Sequence, residues 1–184
     1  MIAVSAVNQL KSNFRGELIA PGDPGYDAAR TVFNITIDRR PALIAQCAGP
    51  DDVVQAVNFA RQEKLIVSVR GTGHNVAGFG TMDGGLVIDL SPLRDVSVDV
   101  ATRRVCVGGG ATLGDLDAAT QEHGLVVPTG VVSETGVAGL TLSGGLGWVR
   151  RKWGLTCDSL VGATLVTADG DVIEVTADSE PELL

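Results

Sequence analysis

Apolar positions recur along the chain in two rhythms, one of strands and one of helices. Ala42-Leu43-Ile44-Ala45-Gln46-Cys47 is an apolar run of strand length. Beyond it Val53, Val54, Val57 and Ala60 or Arg61 return at helical spacing, which predicts a helix over Val53–Glu63. Gly49-Pro50 opens that helix, and Asp51 and Asp52 suit the positive end of its dipole. Leu65-Ile66-Val67-Ser68-Val69 is β-branched and reads as a second buried strand, completing a β-α-β unit that is right-handed if its strands are parallel. Leu86–Leu90 is a further strand. Alternation in Val96–Val100 and Arg104–Gly108 predicts a hairpin turning at Ala101-Thr102-Arg103. Thr112 caps a helix over Leu113–His123 that Gly124 ends, with His123 favoured by its carbonyl end. A short helix from Val137 to Ser143 and strands Leu160–Thr167 and Val172–Val175, joined at Ala168-Asp169-Gly170-Asp171, complete the pattern. Val7–Phe14 forms a short amphipathic helix in an N-terminal arm (1–37), broken from the domain (38–184) by Gly16 and Pro21-Gly22-Asp23-Pro24-Gly25.

Composition narrows the partners. The 45% hydrophobic content of 184 residues supports one substantial core or two small lobes. Twenty-four glycines against 4% aromatics favour turns and close backbone approaches. A net charge of -8 with pI near 4.6 argues against a nucleic-acid surface. Arg150-Arg151-Lys152 is the one dense basic cluster and reads as solvated. Cys47, Cys106 and Cys157 lack paired spacing, so neither a disulfide framework nor a metal site is expected, and Cys47 and Cys106 read as small buried hydrophobes. With no signal-like leader and no apolar run near the roughly 20 residues of a membrane span, the expectation is a cytoplasmic protein without a membrane partner.

Chemistry concentrates in Ser68–Gly80, SVRGTGHNVAGFG, where a strand runs into a glycine-rich turn carrying one of two histidines. Glycines at 71, 73, 78 and 80 allow successive N–H groups to face one concavity, which suits a phosphate or pyrophosphate. A dinucleotide turn of Rossmann type needs G-x-G-x-x-G opening a helix; Val76 stands at the third glycine and more turn follows. On spacing alone His74 is most often a hydrogen-bonded loop residue. Gly108-Gly109-Gly110 reads as a strand end before a helix. In a second glycine segment Gly139 is expected against a neighbouring backbone or ligand, with Gly144, Gly145 and Gly147 allowing a wrap around a flat molecule or a tightly packed turn.

Arg70-Gly71-Thr72-Gly73-His74-Asn75, followed by Gly78 and Phe79, resembles the R-G-G-G-H-N-x-x-G segment of FAD-linked oxidases of the berberine bridge enzyme-like group, within the vanillyl-alcohol oxidase (PCMH-type FAD-binding) superfamily. Thr135-Gly136-Val137-Ala138-Gly139-Leu140-Thr141-Leu142-Ser143-Gly144-Gly145-Leu146-Gly147-Trp148, then Arg151-Lys152-Trp153-Gly154-Leu155 and Cys157-Asp158, resemble that family's second flavin segment. The resemblance implies an α+β fold of two lobes, a small β-α-β lobe and a mixed or antiparallel sheet lobe with helices, holding FAD. It implies backbone contacts from Gly71, Thr72, Gly73 and Asn75 to the pyrophosphate and a bond from a His74 ring nitrogen to the flavin 8α-carbon, with the remaining named motif residues through Asp158 around the cofactor. Many members add a cysteinyl bond three residues before Thr135; Val132 stands there, so a single link through His74 is expected, and Cys157 is too far along to substitute. Family members also carry a substrate domain and a catalytic base, commonly tyrosine, and Tyr26 matches no such position, so the catalytic residues stay unassigned. The function implied is hydride removal from an alcohol, sugar or amine carbon to FAD with oxygen as acceptor. Two alternatives remain, a flavin- or nucleotide-binding unit without turnover and an NADPH-dependent reductase of related fold. Substrate and oligomeric state are left open.

Overall fold

A computed structural model describes residues 2–184. Helix α1 (Val4–Lys11) lies earlier than the predicted Val7–Phe14 and buries Leu10 in the core. Strand β1 (Glu17–Ile19), which the arm's polar turns concealed, pairs antiparallel with β2 (Leu43–Gln46). Between them α2 (Tyr26–Ala29) buries Tyr26, whose hydroxyl donates to the Pro41 carbonyl at 2.7 Å.

The β-α-β unit forms as β2, α3 (Pro50–Glu63) and β3 (Val67–Arg70), but its strands are not neighbours. Strand β4 (Leu86–Asp89) lies between them, parallel to both, giving the order β1-β2-β4-β3. Leu43, Ala45, Leu86 and Ile88 face one side, against Ala56, Phe59 and Ala60 of α3 and Leu10 of α1. Ile44 and Val87 face the other, with Ile19 and Tyr26. The inward face of α3 is rotated from the predicted one: Asp52, Ala56, Phe59 and Ala60 are buried, Val53 and Val57 are half-buried against the core, and Val54 is not part of that cluster.

Two expectations of burial are reversed. In β3 it is Ser68 and Arg70 that are buried while Val67 and Val69 are exposed, because β3 is an edge strand whose inner face binds the following turn. Ser68 Oγ donates to the Phe79 carbonyl. Cys106 is exposed, since the hairpin of β5 (Val96–Asp99) and β6 (Arg104–Val107) turns Val105 and Val107 inward and leaves Cys106 opposite Ser97 on the outer side.

The second lobe carries that hairpin, α4 (Leu113–Gln121), α5 (Val137–Thr141), the unpredicted α6 (Arg150–Trp153), a 3₁₀ turn at Cys157–Ser159, and the hairpin of β7 (Gly162–Val166) and β8 (Val172–Thr176). Helix α4 starts as its sequence predicts: Thr112 Oγ1 accepts from the Asp115 N–H, and the Asp115 carboxylate accepts from the Thr112 N–H at 2.8 Å. No helix among the described residues is long and apolar enough to cross a membrane.

Candidate active site

Parallel strands β2, β3 and β4 end together, at Gln46, Arg70 and Asp89, which are register partners. The glycine turn leaves from the Arg70 end of this polar row, on the edge strand β3. Gly73 and Gly78 hold φ of +78° and +76°, a region L side chains avoid. Asn75 closes the turn on itself: its carbonyl accepts from the Gly78 N–H at 3.0 Å and its Oδ1 from the Phe79 N–H at 3.1 Å. Among the described residues, none of the five N–H groups from Gly71 to Asn75 donates to a protein acceptor. Consecutive donors left free are what an anion nest requires.

His74 is half-buried and held on two sides. Thr72 Oγ1 lies 3.0 Å from its Nδ1, and the Phe33 ring stacks on it with centroids 4.8 Å apart and planes 22° from parallel. The Phe33 N–H donates to the Gly73 carbonyl at 3.1 Å, tying the arm to the turn. Nε2 has no protein partner among the described residues. Sequence reasoning missed Phe33, and no signal in the chain could have found it: a lone phenylalanine 41 positions before the histidine becomes its neighbour only through the fold.

The second glycine segment meets the first. A Cβ on Gly136 would stand 2.6 Å from Thr72 Oγ1, and one on Gly71 2.9 Å from the Gly109 carbonyl oxygen. Backbone bonds fix this junction, with Leu113 N–H to the Thr135 carbonyl at 2.8 Å, Val137 N–H to the Ala111 carbonyl at 2.9 Å, and an antiparallel bridge between Thr112 and Gly136. The N–H groups of Gly136, Ala138 and Gly139 have no protein acceptor among the described residues. A Cβ on Gly139 would meet no protein atom, so the expected packing against a neighbouring backbone does not occur.

Other motif residues serve the protein's own packing. Gly145 and Gly147 leave room for Thr156 and for the Thr129 carbonyl. Leu140 packs over Gly130 and Gly145, and the Thr141 hydroxyl donates within α5 to the Val137 carbonyl at 2.7 Å. Gly144, at φ +94°, takes the Cys157 N–H on its carbonyl at 3.0 Å. Asp158 accepts from the Leu155 N–H at 2.7 Å and closes the Gly154 turn. Arg70 lies under the glycine turn rather than on it, 6% exposed, with Nη2 donating to Asp89 Oδ2 at 2.7 Å. Val132 is exposed, and its carbonyl accepts from the Thr135 N–H at 3.0 Å. A surface cleft of about 330 Å³ is lined by arm and β1 residues, from Lys11 to Pro24, and by none of the glycine segments.

A glycine turn of free N–H donors at the end of a parallel sheet, joined by a second glycine segment, gives an α+β domain with the arrangement that suits a phosphate-bearing ligand. Residues 41–176 match the FAD binding domain family, and the chain belongs to it. It is 42% identical over 171 residues to (R)-6-hydroxynicotine oxidase of Paenarthrobacter nicotinovorans, covering 93% of this chain and 37% of that protein. Among solved structures, a berberine bridge enzyme-like protein of Physcomitrella patens superposes with a TM-score of 0.90 at 30% identity, covering 97% of this chain and 39% of that one. Glucooligosaccharide oxidase of Acremonium strictum, described with a 6-S-cysteinyl, 8α-N1-histidyl FAD, superposes at 0.89 with 31% identity, covering 97% and 38%. The chain thus spans under two fifths of each protein it matches here, the N-terminal FAD-binding portion, with the two-lobed fold expected from its sequence. The residues present fit FAD: the five free N–H groups suit its diphosphate, and the open side of Gly139 admits close approach of a flat ring system.

Proposed function

We propose that the protein is an FAD-dependent oxidase of small organic molecules, taking hydride from an alcohol, sugar or amine carbon, with His74 as the single covalent anchor of the cofactor. The observation that carries this reading is the run of free N–H groups from Gly71 to Asn75 surrounding an imidazole that is oriented by Thr72 and Phe33. When bound, FAD supplies the hydride acceptor and passes the electrons on to oxygen.

The chain's own residues do the holding. Backbone donors from Gly71 to Asn75 bind the diphosphate charge without a lysine or arginine, and Gly136 and Gly139 let the second segment close on the cofactor. Neutral imidazole is the form that can bond the 8α-carbon. If Nδ1 donates to Thr72 Oγ1, the Nε2 lone pair is left free. Tethering would exchange a ring N–H and a methyl C–H for the new bond, a two-electron oxidation whose acceptor would be the bound flavin itself, reoxidised by oxygen. Val132 excludes a thioether at the position where doubly linked relatives carry cysteine. The relatives named above act on a hydroxynicotine and on glucooligosaccharides, which supports a small amine or sugar substrate here.

Acid precipitation of the yellow protein tests the reading. The colour is expected to stay in the pellet, and in His74→Ala to pass to the supernatant. A wild-type pellet that bleaches completely refutes the tether, and a protein that stays colourless after FAD supplementation refutes the flavin assignment.

A further inference from the structure

The resemblance assigns Arg70 to the cofactor, whereas the geometry points to a different task. We propose that Arg70, locked by Asp89, is a positioning residue that sets the ring of His74 from beneath the turn; this rests on the reading of His74 as the flavin anchor.

Asp89 is completely buried. Its Oδ2 accepts from Arg70 Nη2 at 2.7 Å and from Gln46 Nε2 at 3.1 Å, and its Oδ1 from the Ser91 N–H at 3.1 Å. The row Gln46–Asp89–Arg70 therefore clamps the ends of three strands in register. Above it, both limbs of the turn rest on the stem of Arg70. A Cβ on Gly73 would lie 3.5 Å from Arg70 Cδ, and one on Gly80 3.5 Å from Arg70 Cγ and 3.6 Å from the Gly73 Cα.

From Gly73 the constraint passes to the histidine. Its carbonyl takes the Phe33 N–H, the Phe33 ring stacks on the imidazole, and Thr72 on the preceding side contacts Nδ1. Stability alone explains the pair poorly. Burying two charges is costly, and an apolar pair of similar volume is often as stable. Here Arg70 Nη1 and the neighbouring turn's Thr81 hydroxyl are also buried without a protein partner, a further cost that an apolar floor would avoid. What the planar side chain, held at its head by Asp89 and covered along its stem by the turn, adds is a fixed height and direction for the turn.

The test uses the full protein prepared free of flavin, with the double variant R70M/D89N, which removes both charges together. It is expected to unfold cooperatively, to bind FAD non-covalently within about threefold of wild type, and to form the covalent bond roughly 10- to 100-fold more slowly, the usual cost of a small misplacement of a reacting group. The His74 ring-proton resonances of the flavin-free protein should move towards unstacked values. Coupling at the wild-type rate with unmoved resonances overturns the proposal. So does a loss of non-covalent affinity with normal coupling at saturating FAD, which would make Arg70 a cofactor ligand. Should the double variant not fold, D89N alone, which keeps shape and an acceptor, must show the same ring shift and slowed coupling, and its failure to do so overturns the proposal. A wild-type protein that holds FAD only non-covalently removes the tether, and the ring resonances then decide the positioning role by themselves.

Discussion

Gly136→Ala probes the contact on which the two glycine segments depend. Gly136 sits at φ -75° and ψ 139°, a conformation any residue adopts, so alanine brings no backbone strain. Stiffening the unfolded chain favours alanine by about 0.4–1 kcal/mol, and its poorer quality as a helix N-cap removes a similar amount. The clash therefore decides the sign. The new methyl would stand 2.6 Å from Thr72 Oγ1 and 3.0 Å from its Cγ2, and overpacking of this kind costs about 1–3 kcal/mol. Urea unfolding should show a lower midpoint at unchanged slope. Because Thr72 also contacts His74, the proposed tether should form less completely, read as a smaller share of flavin kept in the acid pellet. Thr72→Ala removes both crowded atoms, so the pair T72A/G136A should be at least about 1 kcal/mol more stable than the sum of the single changes. Energies that add within about 0.5 kcal/mol, or a G136A protein as stable as wild type, would show that the segments do not meet in this way.

Asp52→Ala leaves the N–H groups of Arg15, Gly16 and Ala48 without their acceptor and should cost about 3 kcal/mol or more, read as a drop in unfolding midpoint with faster tryptic cleavage at Lys11 and Arg15. The Arg94 guanidinium, aided by the Thr112 N–H and hydroxyl, holds the Asp115 carboxyl down to about 2, below its unfolded value near 3.9. Stability from this group is therefore complete above about pH 4 and lost as the pH falls towards 2, and unfolding of Asp115→Asn should lack that part of the acid dependence. Burial pushes the Cys47 thiol up to about 12, with Asp52 and Asp89 adding to the effect. Iodoacetamide at pH 8 should label Cys106 and Cys157 in the native protein and reach Cys47 only after denaturation, as counted by intact mass.

Local order was legible in the sequence wherever neighbours along the chain decide it. The Thr112 cap, the break after Glu63, both hairpins and the placing of a glycine turn after a β-branched strand all rest on interactions within a few residues, and each stands where the pattern puts it. The identity of the turn was likewise carried by residue types at fixed spacing, from Arg70 to Asn75, because no other residues combine left-handed backbone with free donors so compactly.

Tertiary structure decided what those patterns are for. Strand β4 is inserted between β2 and β3, and that choice sets Asp89 beside both Gln46 and Arg70 and turns the polar face of β3 inward, where its β-branched run predicts a buried strand. The same folding carries Phe33 onto His74 and Gly136 onto Thr72 across separations of 41 and 64 positions. Such contacts depend on which strand pairs with which and on the packing that follows. Periodicity can show that a face will be buried, but the neighbour it meets is chosen by the whole chain at once.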